Sequence, residues 1–167
     1  MRDEPGVRIR AATEADLDQV GRITEGAYAE FMVGEEHAHY RPQLRDAGPR
    51  FREAELLVAV DALGEVVGAV TVCPLGSPWR EIASEEEGEF RMLAVAPAAR
   101  GQGVGEMLVR HVVDGFAAQG LTRTALSTLP QMTAAHRLYA RLGFVRAPGR
   151  DWSPAPGVDL WAFTRPG

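Results

Sequence analysis

The sequence predicts a single-domain α/β protein, with a mixed, mostly antiparallel sheet of about seven strands and about four helices on its faces. Three observations predict it. Short apolar runs rich in β-branched residues alternate with stretches of helical period. Two consecutive runs, Leu56–Val60 and Val66–Val72, flank the turn Asp61-Ala62-Leu63-Gly64-Glu65 and read as a hairpin. One strand, glycine turn, helix and strand follow each other between Glu89 and Leu129, the order of a single parallel connection.

The elements follow in order. Residues 1–6 form an N-terminal tail and residues 7–167 the domain. Val7-Arg8-Ile9-Arg10 alternates as a short strand. Thr13, with Asp16 three residues on, is a helix start, and Leu17, Val20, Ile23 and Ala27 continue at helical spacing. Residues 32–39 are a loop or helix junction, and a short helix runs from about His39 to Asp46. After the hairpin, residues 74–88 form a long connection with two prolines, Trp79 and the cluster Glu85-Glu86-Glu87. Glu89 to Val95 is the fourth strand. A helix from Glu106 to Ala118 presents Val104, Met107, Leu108, Val112 and Phe116 to the core and stops at Gly120. Thr124 to Leu129 is the fifth strand, Gln131 to Leu142 a helix with Gly143 as its cap, and Phe144-Val145 starts a sixth strand. The seventh, Val158 to Thr164, follows a turn-rich segment over 147–157.

Composition excludes several classes. At 167 residues, 46% of them hydrophobic and 25% charged, the chain suits one soluble domain with a real core. The net charge is −5 and there is no basic tract, so nucleic acid is not an expected partner. A single cysteine, Cys73, rules out a disulfide within the chain. The charged start is not a signal peptide, and no apolar run approaches the roughly 20 residues a membrane span needs, so the expected compartment is the cytoplasm, with no membrane partner.

Arg100-Gly101-Gln102-Gly103-Val104-Gly105 carries the most chemistry. A glycine turn between a strand and a helix start gathers backbone N–H groups that lack partners, and the helix dipole favours anions there. The stretch therefore reads as a cradle for a phosphorylated ligand, or else as glycines that permit tight helix–strand packing. Its G-x-G-x-G spacing is not the G-x-G-x-x-G of a dinucleotide fold, and the Walker lysine with its Ser/Thr is missing.

A second motif, Ala135-His136-Arg137-Leu138-Tyr139-Ala140-Arg141-Leu142-Gly143-Phe144, lies downstream. With Arg100, Gly103 and Gly105 as Q/R-x-x-G-x-G/A and Ala135 to Phe144 as A-x-x-L-Y-x-x-L-G-F, the chain resembles the GNAT superfamily of acetyl-CoA-dependent N-acetyltransferases. The resemblance extends to the element order from Val7 to Thr164. It implies a central strand pair that splays apart, with the exposed edge at Leu93, Ala94 and Val95 binding the pantetheine arm of acetyl-CoA. It also implies a pyrophosphate on the amides of Arg100, Gly101, Gln102, Gly103, Val104, Gly105 and Glu106. Arg100 adds charge there or is simply solvated.

The same resemblance makes Tyr139 the acid that protonates the leaving thiolate, against a packing role beside Leu138 and Leu142. Glu89 matches the place where some members carry the base that deprotonates the amine. Simple alternation puts its side chain on one face with Arg91, Leu93 and Val95. Its other reading is a charge at the rim of the acidic loop, with Glu87 a spare and more solvated candidate. Met132 stands where many relatives carry an asparagine that contacts the cofactor, so it offers packing rather than a polar contact. No metal is expected: His37 and His39, beside Glu35 and Glu36, read as surface polarity, and His111 and His136 have no evident partners. Cys73 reads as a small core residue. Tyr28, Phe31, Trp79 and Trp152 are candidate walls for the acceptor.

The implied activity is direct acetyl transfer from acetyl-CoA to a primary amine of a small molecule or peptide, by a chain that is plausibly a homodimer. The alternative is an acyl-CoA-binding sensor without turnover. A thermal-shift screen separates the ligand classes: acetyl-CoA is expected to raise Tm, and stabilisation by ATP or NAD alone would overturn the assignment.

Overall fold

A computed structural model describes residues 6–32 and 34–166; of Glu36, only the backbone is described. The expected tail thus lies, save Gly6, outside the described residues. The chain forms strands β1 (Arg8–Ala11), β2 (Glu55–Val60), β3 (Val66–Val72), β4 (Glu87–Val95), β5 (Arg123–Thr128), β6 (Val145–Arg146), β7 (Trp152–Ala155) and β8 (Val158–Arg165). The helices are α1 (Leu17–Ala29), α2 (Arg41–Arg45), α3 (Gly48–Glu53), α4 (Val104–Ala118) and α5 (Thr133–Arg141).

The strand order is β1-β2-β3-β4-β5-β8-β6, with β7 paired to β8. Every pairing is antiparallel except β4 with β5, which the β4-α4-β5 crossover makes parallel. The core lies on both faces of the sheet. Leu57 and Ala59 of β2 pack toward Val104, Leu108 and Phe116 of α4, while Leu56, Val58 and Val60 pack toward Val20 of α1. A strand covered on both faces has no polar face to show, which is why Leu56–Val60 reads as an uninterrupted apolar run.

Two elements exceed the sequence expectation. β7 pairs Trp152 with Leu160 inside the segment expected to be turns. Its proline, Pro154, is tolerated because the strand has β8 as its sole partner. Helix α3 begins at Gly48-Pro49, a pair that reads as a break but places proline in the first turn, where its missing N–H costs nothing. On α4, Val109 rather than Met107 joins the buried face. The approach of α4 to the sheet depends on Gly88, where a Cβ would overlap the Phe116 ring.

Two features of β4 position everything that follows. Its pairing with β5 runs from Glu87↔Arg123 to Phe90↔Leu126 and stops there. On its other side the register against β3 slips by one residue between Thr71↔Arg91 and Ala69↔Ala94, and Met92 has φ +56°. The extra residue reverses the alternation. Phe90, Leu93 and Val95 face α4, whereas Met92 and Ala94 pack with Tyr28 of α1. The expected common face of Glu89, Arg91, Leu93 and Val95 is therefore wrong: Arg91 packs among Tyr40, Trp79 and Trp152 instead.

The start of α1 is held as the sequence motif implies. The Thr13 N–H donates to Asp16 Oδ2 (2.8 Å), and Arg10 of β1 donates to both carboxylate oxygens (2.7 and 3.0 Å). The Arg10 hydrogen bond is the main cause that holds the Asp16 carboxyl at about 2. A carboxyl depressed on folding stabilises above its unfolded pKa and loses that contribution as pH falls through the folded value. Asp16→Asn is expected to cost roughly 1–2 kcal/mol at neutral pH, allowing for solvent screening. Urea titrations should show the difference from wild type shrinking between about pH 4 and pH 2; a pH-independent difference would sink this account.

Candidate active site

Where β4 and β5 part, a cleft of about 400 Å³ opens. Leu93, Ala94 and Val95 line one side, and Met132 and the first turns of α5 line the other. The end of α1, through Ala27, Glu30 and Phe31, closes it. The cleft continues along Arg100, Gly101, Gly103, Val104, Gly105 and Glu106. Every expected ligand-binding residue thus faces one cavity except Gln102, whose Nε2 turns back to donate to the Ala98 carbonyl (3.2 Å).

The glycine turn is built for a ligand that takes backbone hydrogen bonds. Gly101 and Gly103 have φ of +77° and +81°, a region that L side chains rarely adopt. A Cβ at either would meet no protein atom within 4 Å, so the space beside them is open. Met107 N–H makes the bond to the Gly103 carbonyl (3.0 Å), which leaves the amides of Val104, Gly105 and Glu106 ahead of it in the first turn of α4. Open space, bare backbone and a helix N-terminus fit a pyrophosphate. Arg100 is half-exposed and lies 3.6 Å from Glu30, a weak surface pair.

Tyr139 does not line this cleft. It is 4% exposed and packs in an aromatic cluster with Phe90, Phe144 and Phe163, at ring-centroid distances of 5.8 to 6.2 Å. Leu138, the residue before it, does line the cleft. Burial, and next the Tyr28 hydroxyl reached across the sheet, push the Tyr139 phenol well above its ordinary value. The group therefore keeps its proton at any ordinary pH and has an O–H to donate.

Glu89 is fully buried and ties the 74–86 connection to β4. Its Oε1 accepts from the N–H groups of Glu81 (3.0 Å), Ile82 (2.9 Å) and Ala83 (3.0 Å). Its Oε2 is buried with no partner among the described residues. Arg80 holds the same segment by donating to the carbonyls of Ser84, Glu87 and Cys73. Glu87, the spare candidate, is not solvated as expected. It is buried and accepts from Ser84 N–H (2.9 Å) and the Arg150 guanidinium (2.8 Å). Burial alone would raise its pKa, but these two partners outweigh it and hold the carboxyl below the usual range. Glu87 is thus committed to its ion pair with Arg150.

The remaining candidates separate cleanly. Cys73 is buried, and desolvation followed by the nearby Glu89 charge pushes its thiol up to about 12, which removes it as a thiolate nucleophile. His37 Nε2 lies 3.1 Å from the Gly157 carbonyl, and no group of three His, Cys, Asp or Glu is gathered for a metal among the described residues. His136 has partners that the sequence did not reveal, the Leu129 carbonyl at 3.0 Å and the Trp161 ring stacked on it. No helix of the described residues is long and apolar enough to cross a membrane.

A second cavity, of about 240 Å³, lies on the α1 face of the split; of the four expected aromatic wall residues Trp79 and Trp152 line it, Phe31 lines the first cleft and Tyr28 lines neither. Trp152 is anchored by its Nε1, which donates to Ser127 Oγ (2.8 Å), one residue beyond the last β4–β5 pair. Arg91 also lines it, a residue that the sequence alone does not single out among eighteen arginines.

Known proteins share this arrangement. Residues 21–144 match the Acetyltransferase (GNAT) family. Mycothiol acetyltransferase of Cellulomonas flavigena is 29% identical over 175 residues, covering 96% of this chain and 49% of that protein, so the chain spans about half the length of that relative. Phosphinothricin N-acetyltransferase of Streptomyces coelicolor is 28% identical over 83% of this chain and 81% of its own. The structure of PaiA N-acetyltransferase from Thermoplasma acidophilum in complex with coenzyme A superposes with a TM-score of 0.71 at 14% identity, over 96% of this chain and 99% of that one; at that identity the likeness concerns the fold.

The hydrogen bonds of Glu89 make a test of its structural share. Glu89→Ala removes the acceptor of three N–H groups and is expected to cost about 3 kcal/mol in urea unfolding. Glu89→Gln, which keeps an acceptor oxygen, should cost about 1 kcal/mol. Equal losses would show that the carboxylate does not hold the 81–83 segment.

Proposed function

Because this chain belongs to the GNAT acetyltransferase family, we propose that it transfers an acetyl group from acetyl-CoA directly to the primary amine of a small molecule or peptide. The observation that carries the reading is the unbroken cleft from the free edge at Leu93–Val95 through the glycine turn to the N-terminus of α4. An acetyltransferase relative of comparable length and a fold neighbour bound to coenzyme A support it.

Acetyl-CoA supplies the activated acetyl thioester and a thiolate leaving group. The β4 edge at Leu93, Ala94 and Val95 holds the pantetheine arm by strand-like hydrogen bonds. The amides from Gly101 to Glu106 take the pyrophosphate. Backbone N–H groups at the Val95 end polarise the thioester carbonyl as an oxyanion site does. Tyr139, kept protonated by burial, is the donor to the departing sulfur. Glu89 Oε2, the oxygen left free by the three amides, accepts the amine proton directly or through a water.

The burial of both Tyr139 and Glu89 is the one observation that favours the second reading, an acyl-CoA-binding module without turnover. Thiol release from acetyl-CoA with a panel of amines separates the two; tight binding with no release would favour the module. Tyr139→Phe is expected to lower kcat about a hundredfold while barely changing KM for acetyl-CoA. Unchanged turnover across the pH profile would remove Tyr139 from the mechanism.

A further inference from the structure

The α1 face of the sheet buries two guanidinium groups that make no ion pair among the described residues. Arg91 is 5% exposed. Its Nη1 donates to the Trp79 carbonyl (3.2 Å) and its Nη2 to the Tyr40 hydroxyl (3.4 Å). The guanidinium lies 4.9 Å from the Trp152 ring centroid and 5.6 Å from that of Trp79. Carbonyl, phenol and two indole faces are all neutral, and among the described residues Arg91 makes no ion pair.

Arg50 of α3 is fully buried and donates to the carbonyls of Gln43 (2.6 Å) and Leu44 (3.3 Å). Burial lowers its pKa to about 10, and Arg91 is among the charges that press it down. A guanidinium carries five N–H donors, and an unpaired buried charge is costly, so such a group is rarely left without an anion. Arg50 keeps its Nε buried without a partner among the described residues and stays behind the cavity wall, whereas Arg91 itself lines the cavity of about 240 Å³.

The place of that cavity gives the charge a purpose. Arg91 directly follows the last β4–β5 pair and Ser127, which anchors Trp152, directly follows it on β5. The cavity therefore meets the split of the sheet from the face opposite α4. Two carboxylates, Glu53 and Glu81, also line it, but both are exposed and screened by solvent, whereas Arg91 is not. Trp79 and Trp152 set their rings against the guanidinium and line the same cavity. A planar or tetrahedral oxyanion fits the fork of such a group by paired N–H bonds.

We propose that the acetyl acceptor is a small amine that carries an oxyanion, a carboxylate, phosphinate or phosphonate, held by Arg91 between Trp79 and Trp152. The proposal rests on the acetyl-transfer reading for its chemistry but on Arg91 and its neutral surroundings for the anion.

The test uses matched probes on the intact protein: L-alanine and L-methionine against alaninamide and methioninamide, and aminoethylphosphonate against ethanolamine. Binding in the presence of coenzyme A is read by calorimetry, and turnover by thiol release from acetyl-CoA. The amides have less basic amines and so a larger share of the reactive neutral form, which biases the comparison against the proposal. At least one acid is expected to exceed its uncharged partner tenfold or more in both affinity and kcat/KM. Arg91→Gln should collapse that ratio to about one, and Arg91→Lys, which keeps a point charge, should retain part of it. Where Arg91→Gln does not fold, the wild-type ratios and Arg91→Lys decide. Acid-selective binding without thiol release would support the anion site and overturn acetyl transfer. Thiol release from the uncharged amines equal to that from the acids would overturn the anion site and leave acetyl transfer standing. Failure of every acid to bind also overturns it.

Discussion

The parallel pairing of β4 with β5 ends at Phe90 and Leu126, and the rest of the molecule is arranged around that ending. A strand pair that continued would use the N–H and C=O groups at Leu93–Val95 and fill the space between them. Because the strands part, those groups have an open edge, the cleft exists, and the N-terminus of α4 stands at its end. The slip at Met92 belongs to the same device. It turns Leu93 toward α4 and Ala94 toward α1, so the residues before it and after it serve different faces. Arg91, just before the slip, is left to the cavity on the α1 face.

The two faces of the split differ in chemistry. The α4 face offers bare amides and a helix N-terminus, which suit phosphate without any buried basic side chain. The α1 face offers one buried guanidinium, Arg91, set against two indole rings. Tyr139 of α5 is fixed by the aromatic cluster around it, and Glu89 of β4 by the three amides of the 81–83 segment. The connection over 74–86 has few regular hydrogen bonds of its own, yet Glu89 and Arg80 fasten it from beneath, so its wall residue Trp79 sits on a fixed support.

Much of this was legible along the chain. The glycine turn, the hairpin of β2 and β3 and the helix from Thr133 to Arg141 announce themselves by local rules: φ above zero needs glycine, a short turn joins antiparallel strands, and helical spacing groups Leu138 and Leu142. What escaped was nonlocal. The slip at Met92 has no glycine to mark it, and one extra residue inverts every face assignment beyond it. Glu87 sits in a run of three glutamates that reads as solvated, and Arg150, sixty-three residues away, is what buries it as an ion pair. β7 looked like turns because its only partner lies beyond the next turn.

The sequence by itself determined the fold class, the glycine turn and the order of strand, turn and helix around it, since these follow from periodicity and from backbone angles that neighbouring residues dictate. Tertiary structure alone decided where β4 and β5 separate, which groups are buried at that point, and that Arg91 lies against two indole rings without an ion pair among the described residues. Those depend on residues 12 to 63 positions apart meeting across a sheet. Charge and burial at such a meeting are properties of the packed neighbourhood, and no stretch of chain carries them alone.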